Sequence, residues 1–287
     1  MPKKISKTST PQRGSFHIAR LMLQLLSYFL LLLNASPIWS VYSLPDPTGA
    51  DLDCMRIFFL HIPKTGGTSL GTWLKSSFPD CPYRGNLRYK DWRKLMQRDK
   101  IDARHSLCDI VEFHGNSRGF YEIYVELEEW KYNLKAKACT LTSITVLRES
   151  QDLFQSAINF WGHNKAVQDV KSVFMRNLQS QFIFTSFRGP KVRKNRHRKL
   201  VTEFDIGDIS RKMVSFFDFI CQYENLVYCT ERIQKHFSGR SIFHHRKLES
   251  LNVNSGRKQS YSFSLTKYMT NLDVKLMSTL NESGILI

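Results

Sequence analysis

One short run of residues combines a lysine, two glycines and three hydroxyl groups, which together are suited to bind an anion. The run reads Lys64, Thr65, Gly66, Gly67, Thr68 and Ser69. Glycines allow a backbone to approach a ligand closely, and a lysine adds a positive charge that attracts a phosphate. The composition of this loop therefore indicates a site for a phosphate or a chemically similar group.

The hydrophobic pattern around the loop predicts the elements that position it. Residues 57–60 form a continuous apolar run typical of a buried strand, and apolar residues at 70, 73, 74 and 78 recur at helical spacing. A strand, a loop and a helix in this order direct backbone N–H groups at a bound anion. A nucleotide-triphosphate P-loop has its lysine after the glycines, whereas Lys64 precedes them. An ordinary strand-to-helix turn is the alternative interpretation.

A second strand and helix carry another pair of phosphate-binding side chains. Residues 141–147 are rich in β-forming residues, Arg148 follows them, and helix-spaced apolar residues begin at Leu153. Ser156 then lies about two turns into the predicted helix. An arginine fork and a hydroxyl in this arrangement can reach one phosphate, although an arginine that closes a strand is common on its own.

These two stretches, HIPKTGGTS at 61–69 and Arg148 with Ser156, resemble the two nucleotide-binding motifs of sulfotransferases. The first is similar to the 5′-phosphosulfate loop, and the second to the 3′-phosphate motif. The similarity is closest to Golgi carbohydrate sulfotransferases of the heparan sulfate 2-O/6-O type. Residues 175–184, MRNLQSQFIF, resemble a weaker Asn-x-Gln block of that family. Residues 248–260 resemble a late loop that closes over the nucleotide, and Arg257 is carried over from it.

The resemblance implies an α/β fold, a P-loop-like three-layer sandwich with a mainly parallel sheet. The strand and helix periodicities favour the same class. It also implies 3′-phosphoadenosine 5′-phosphosulfate (PAPS) as co-substrate, no metal, and sulfate transfer to a hydroxyl of a glycan such as a glycosaminoglycan chain. Residues 65–69 would then hold the 5′-phosphate and the sulfonate, and Lys64 would be catalytic by offsetting charge on the leaving oxygen. Arg148, Ser156 and Arg257 would bind the nucleotide.

A histidine at the end of another predicted strand is the candidate general base. Residues 109–115, DIVEFHG, read as a short strand whose carboxyl end carries His114, and ligands bind at that end of the strands in α/β sheets. A lone histidine is more often structural. The resemblance favours the base, because the family has a strand-end histidine between its two motifs, and an imidazole suits proton removal near neutral pH. His61 precedes the loop, and we interpret it as structural.

The charge of the chain limits the classes of partner. Lysine and arginine number 42 against 25 acidic residues, for a formal net charge of +17. Nucleic acid, an anionic membrane and an acidic polymer all suit such an excess. No zinc-finger spacing or RNA-binding aromatic signature is present, so we expect no nucleic acid, and the resemblance implies an anionic glycan acceptor. The densest basic run, Lys191–Lys199, is either a solvated loop or a contact for that acceptor.

The N-terminal part of the sequence predicts attachment to a membrane. Residues 1–20 are basic and lack acids, and residues 21–44 contain no charge, so this segment can cross a bilayer with its N-terminus in the cytosol. We expect a cytosolic tail at 1–20, a transmembrane signal-anchor at 21–44, a short stem at 45–53 and a lumenal domain at 54–287. The protein would be a type II Golgi membrane protein. A cleaved signal peptide is the alternative.

Six cysteines follow the predicted anchor, and an even number in an oxidising lumen favours disulfides. Cys221 and Cys229 form the best local pair, whereas the sequence leaves the other pairings open.

A glycosylation sequon stands at Asn281-Glu282-Ser283. Two further local expectations are a strand over Phe216–Gln222 and a solvated turn at the acidic residues within 126–129.

Two other classes of function stay open. A nucleotide kinase or NTPase is disfavoured by the position of Lys64 and by the predicted anchor. A non-catalytic, basic glycan-binding protein of the same fold is disfavoured by the joint presence of Lys64, His114, Arg148 and Ser156.

Overall fold

The computed structural model describes residues 54–287 except for 86, 88, 103–106, 115–116, 162–176, 189–199 and 249–262. The strands are β1 (Met55–Leu60), β2 (Tyr83–Arg84), β3 (Cys108–Phe113), β4 (Thr140–Leu147) and β5 (Phe219–Gln222). The helices are α1 (Gly67–Ser77), α2 (Tyr89–Ile101), α3 (Ser117–Lys135), α4 (Ser150–Trp161), α5 (Leu178–Arg188), α6 (Glu203–Phe216), α7 (Leu226–Phe237) and α8 (Phe263–Glu282). Strands and helices alternate along most of this chain, which is typical of an α/β protein.

The five strands form one sheet in the order β2-β3-β1-β4-β5, and every pair is parallel. All six residues of β1 are buried, because a central strand of a parallel sheet is covered by helices on both faces. Phe58 and Leu60 pack with residues of α2, α3, α5, α6 and α8 on one face. Ile57 and Phe59 pack with residues of α1 and α7 on the other. The predicted α/β class with a parallel sheet is therefore confirmed, and helices on both faces are consistent with the expected three-layer sandwich.

Two local expectations are wrong. The acidic residues within 126–129 lie in the 19-residue helix α3, not in a turn. Leu127 and Trp130 on this helix are fully buried, so its apolar face packs into the core while the acids face outward. The strand expected over Phe216–Gln222 begins only at Phe219, because Phe216 ends α6 and is buried against that same core.

The strand order fixes where a ligand can bind. From β1 the chain continues towards β2 and β3 on one side, and from β3 it crosses to β4 and β5 on the other. The carboxyl ends of β1 and β4 therefore border the point at which the winding direction reverses, which is the usual ligand crevice of an open parallel sheet. The glycine-containing loop follows β1 and Arg148 follows β4, so both predicted phosphate motifs lie at this crevice.

All six cysteines form disulfides, which confirms the expectation of disulfide bonding. Cys221 is bonded to Cys229, as the local spacing indicates. The two pairings that the sequence left open are Cys54–Cys139 and Cys81–Cys108. Both join the amino ends of neighbouring parallel strands, so they lie at the edge of the sheet opposite the candidate site.

Among the helices of the described ranges, none has the length and apolar character needed to cross a membrane. The predicted tail, anchor and stem over 1–53 lie outside the described residues.

A buried cluster of charges ties α2 to the sheet. Arg56 of β1 is completely buried, and its guanidinium donates to the Asp99 carboxylate at 3.1 and 3.2 Å. Asp99 also accepts hydrogen bonds from Trp130 of α3 at 3.0 Å and from Arg98. Asp109 of β3 lies 3.6 Å from Arg56. Since several donors surround each acid, the desolvated charges are all partnered.

We expect Asp99→Asn to lower the free energy of unfolding by about 3–5 kcal/mol, because Arg56 would keep a buried charge that is no longer fully compensated. Denaturant unfolding of both proteins measures this loss. Glu129→Gln is the matched control, since Glu129 pairs with Lys100 on the exposed surface of the same two helices and such a pair contributes less than about 1 kcal/mol. Equal effects of the two substitutions would contradict a stabilising role for the buried cluster.

Candidate functional site

The loop after β1 turns sharply into α1. Lys64 and Gly66 both have positive φ, 68° and 93°. The Thr65 hydroxyl is buried and donates to the Ile62 carbonyl at 2.9 Å. Thr65 therefore stabilises the turn with its hydroxyl, whereas Thr68 is exposed and Ser69 is partly buried, so only these two of the loop hydroxyls face a ligand-accessible surface.

The amino end of α1 is built to leave its N–H groups available. Gly66 occupies the N-cap position, no side chain caps the helix, and its first turn contains no acid. The first N–H groups of a helix have no partner within it, and together with the helix dipole they attract anions. By contrast, α6 carries Glu203 and Asp205 in its first turn, and Asp205 accepts a hydrogen bond from the Thr202 N–H at 3.0 Å.

Two positive side chains come together at this loop. Arg148 Nη1 lies 3.4 Å from the Lys64 carbonyl oxygen, although the two residues are 84 positions apart. Burial, together with the nearby charge of Arg148, lowers the pKa of Lys64. Neither side chain forms an ion pair with an acid of the described residues. Two adjacent cations without a carboxylate are suited to receive an anion with more than one negative charge.

Aromatic rings hold both cations in place. The Lys64 ammonium lies 3.9 Å from the centre of the Phe160 ring, and the Arg148 guanidinium lies 4.4 Å from that of Tyr223. These contacts are cation–π interactions. A Cβ added at Gly66 would lie 2.0 Å from the Tyr223 ring, so the position of this ring leaves room only for a glycine at residue 66. Tyr223, which follows β5, therefore packs against both of the predicted phosphate motifs.

Arg148 is fixed through its backbone by Gln179. The Arg148 N–H donates to Gln179 Oε1 at 3.2 Å, and Gln179 Nε2 donates to the Arg148 carbonyl at 3.0 Å. Ser180, the residue after Gln179 at the start of α5, donates its N–H to the Asp273 carboxylate of α8 at 2.7 Å. Burial raises the pKa of Asp273 to about 6. Among the described residues, Arg148 Nε is buried without a hydrogen-bond partner. The Arg148 backbone is thus held by two hydrogen bonds, and the donor capacity of its Nε is not used by this part of the chain.

Two histidines form a stack at the carboxyl ends of β1 and β3. The ladder between these strands continues by one residue, since the His61 N–H donates to the Phe113 carbonyl at 3.0 Å. His61 and His114 consequently stand side by side, with ring centres 4.0 Å apart and planes inclined by 12°. His61 is buried, whereas His114 is exposed. Of these two rings, only that of His114 is therefore accessible to a ligand.

A carboxylate and a phenol support this stack. Glu112 Oε1 lies 2.5 Å from His61 Nδ1, and Glu112 Oε2 accepts a hydrogen bond from the Tyr83 hydroxyl at 2.7 Å. Burial raises the pKa of Glu112, but the hydrogen bonds from His61 and Tyr83 outweigh it and hold this pKa below its usual value. Burial and the bond to Glu112 raise the pKa of Tyr83. Glu112 is therefore ionised and Tyr83 protonated near neutral pH.

Glu112 and the two histidines also have the side-chain types of a metal site, with possible ligand atoms within 4.8 Å of one another. However, stacked imidazoles direct their in-plane lone pairs into parallel planes, so these lone pairs do not converge on one ion. Nδ1 of His61 is moreover already bonded to Glu112. The arrangement suits proton transfer better than metal binding.

Two other predicted site residues are Ser156 and Arg257. Ser156 is partly buried on α4, two turns from the amino end of that helix. Arg257 lies outside the described residues, as does the basic run 191–199. A cavity of about 340 Å³, lined by Gln181, Thr202 and Glu203 among others, shares none of the site residues named above.

Comparison with known proteins gives no family assignment. A scan against protein-family models finds no match, and a search of curated proteins finds none either.

Several site residues were missed from the sequence alone. They are Tyr83, Glu112, Phe160 and Tyr223. Glu112 is two positions before His114, so strand alternation places both on one face, and this was a usable signal. Tyr223 follows a predicted strand directly, but nothing local to it indicates a contact with Gly66.

Proposed function

We propose that the protein transfers a sulfuryl group from PAPS to a hydroxyl of an anionic glycan, such as a glycosaminoglycan chain. The observation that carries this proposal is the pair Lys64 and Arg148 at the switch point of the sheet. The cations lie together without a carboxylate partner among the described residues, beside an uncapped helix end. Two like charges held close destabilise the protein unless an anion binds between them, so the pair supports a multiply charged ligand.

The residues of the loop and of the crevice fit the two phosphate groups of this co-substrate. The first N–H groups of α1 and the exposed Thr68 hydroxyl suit the 5′-phosphosulfate. Arg148, with a buried Nε that lacks a partner within the described chain, suits the 3′-phosphate, and Ser156 is the second candidate there. The lysine-before-glycine order supports this nucleotide over a nucleoside triphosphate.

The proposed reaction requires positioning, charge stabilisation and one proton acceptor. PAPS supplies the activated sulfuryl group. The acceptor oxygen forms a new bond to sulfur, the bond from sulfur to the bridging phosphate oxygen breaks, and the acceptor proton passes to a ring nitrogen of His114. Lys64 offsets the charge that grows on the leaving oxygen. The products are the sulfated glycan and 3′-phosphoadenosine 5′-phosphate.

The exposed position of His114 supports its role as the base. Partial burial of its ring lowers the pKa of His114, and the charge of His61 lowers it further against an opposing effect of Glu112. A lower pKa increases the fraction of neutral imidazole near pH 7, and only neutral imidazole accepts a proton. His114 is thus both accessible and in the protonation state that the reaction needs.

We also propose that the enzyme works in the Golgi lumen, anchored through residues 21–44 as a type II membrane protein. Three disulfides support an oxidising compartment. Asn281 of the sequon is exposed on the last turn of α8, as attachment of a glycan requires.

The direct test is radiolabelled sulfate transfer from PAPS by the full-length protein onto desulfated heparan, chondroitin and glycoprotein glycans, followed by disaccharide analysis. Transfer to any of them supports the proposal. A protein that binds glycans but transfers no sulfate to any would contradict it, as would calorimetric binding of ATP in preference to PAPS.

A prediction for the nucleotide site accompanies this test. Arg148→Ala should weaken binding of 3′-phosphoadenosine 5′-phosphate about 10–150-fold, because a charged hydrogen bond worth about 1.5–3 kcal/mol is lost. Isothermal titration calorimetry measures the change. Arg211→Ala, on the exposed face of α6, is the control and should leave the affinity unaltered. Unchanged affinity in Arg148→Ala would remove Arg148 from the site.

A further inference from the structure

The register of the sheet brings His61 and His114 together, and binding of phosphate by the two predicted motifs does not account for this contact. Leu60 pairs with Phe113, so the next residue of each strand, His61 and His114, occupies the same level at the carboxyl edge. Strand alternation turns both side chains to the face that α1 covers. There the Phe59 ring stacks on His61 at 5.6 Å, and His61 stacks on His114 at 4.0 Å.

His61 is held on every side. Its Nδ1 is bonded to Glu112, which is bonded to Tyr83. The opposite edge of its ring faces the start of α1, because a Cβ added at Gly67 would lie 2.0 Å from His61 Cδ2 and 2.5 Å from Nε2. Tyr83 is in turn close to α1, since its hydroxyl lies 2.5 Å from a Cβ added at Gly71. Two glycines of α1 therefore make room for this network.

We propose that His61, held by Glu112 and Tyr83, is the positioning residue for His114 and couples the orientation of this base to the anion-binding loop. The inference rests on the proposed sulfuryl transfer, which it deepens by assigning a role to a residue beneath the base. His61 provides the ring against which His114 is oriented, and Gly67 links that ring to the amino end of α1.

The charges around His114 give this arrangement a chemical consequence. Among the described residues, the groups whose charges act on His114 are His61 from the loop after β1 and Glu112 from β3. Tyr83 of β2 acts only through Glu112. A positive charge on His61 opposes protonation of His114, while the Glu112 carboxylate favours it. Removal of the His61 charge should therefore raise the pKa of His114.

The coupling is measurable without any turnover. In the full-length protein labelled with ¹³C at histidine Cε1, NMR titration follows each of the nine histidines, and His114→Gln assigns the signal of His114. We expect the pKa of His114 to rise in His61→Phe, which keeps an aromatic ring, and in His61→Gln, which keeps a donor to Glu112. Should the first variant fail to fold, the second decides. His245→Gln, an exposed histidine after α7, should leave the titration of His114 unaltered.

A pKa of His114 that stays the same or falls in the folded His61 variants would overturn the inference, even in an active enzyme. A rise supports the coupling even if no sulfate is transferred, so failure of the proposed function is recognised separately. In an active enzyme, Glu112→Gln should lower kcat about 10²-fold through misplacement of the base, with the KM for PAPS unaltered. An unchanged kcat, or equal losses in kcat and nucleotide affinity, would contradict a positioning role.

Discussion

Replacement of His114 by alanine is expected to lower turnover about 10²–10⁴-fold, the usual contribution of a general base. The residue is exposed at the carboxyl end of β3, and the protein places no other described histidine ring beside it except the buried His61. Because His114 belongs to neither phosphate motif, affinity for 3′-phosphoadenosine 5′-phosphate should stay at the wild-type value. Single-turnover sulfate transfer and calorimetry measure the two quantities separately.

The pH dependence of the wild-type rate follows from the same assignment. Only neutral imidazole accepts a proton, so the rate should rise with pH through the pKa of His114. Burial and His61 lower that pKa from 6.5, so the rising limb of the profile should lie below pH 6.5 and be absent in His114→Ala. The assignment of the base fails if His61→Ala abolishes turnover while folded His114→Ala stays within a few-fold of wild type.

Replacement of Lys64 by methionine is expected to reduce kcat about 10²–10³-fold, the usual loss when one group that stabilises the transition-state charge is removed. The ammonium lies 3.9 Å from the centre of the Phe160 ring and feels the charge of Arg148, at the loop that is proposed to hold the phosphosulfate. Its charge matters most when negative charge develops on the leaving oxygen, so kcat should fall more than nucleotide affinity. Rapid-quench measurement of the chemical step gives this ratio.

A second substitution separates the charge of Lys64 from its backbone conformation. Lys64 has a φ of 68°, which is unfavourable for residues other than glycine. Lys64→Gly should therefore relieve backbone strain and raise the denaturation midpoint, yet lose as much turnover as Lys64→Met. Lys75 is exposed in the last turn of α1, and Lys75→Met should change neither the denaturation midpoint nor turnover. Recovery of turnover in Lys64→Gly would show that the backbone, not the ammonium, is what the reaction needs.

Local sequence was sufficient for most of the elements around the site. A strand ending before His61, a helix carrying Leu70 and Trp73, and a strand ending before Arg148 are all confirmed, although the helix begins at Gly67, inside the stretch predicted as a loop. Each prediction depended on hydrophobic spacing within a dozen residues, and the helices are buried on the apolar face that this spacing defines. The local disulfide between Cys221 and Cys229 was predictable for the same reason. The part of helix α3 that carries the acidic residues was predicted to be a turn. These acids face outward, and the apolar face on the other side of the helix is recognised only from its packing in the core.

The pairing of the site residues was decided by tertiary structure. Lys64 and Arg148 meet because β1 and β4 are neighbours, and His61 and His114 meet because β1 and β3 are neighbours in register. Strand order depends on long-range packing of helices on both faces of the sheet, which no local pattern records. The sequence alone therefore determined which residues have the chemistry that the proposed sulfuryl transfer needs. Only the folded sheet determined that a buried histidine, a carboxylate and two aromatic rings hold them in place.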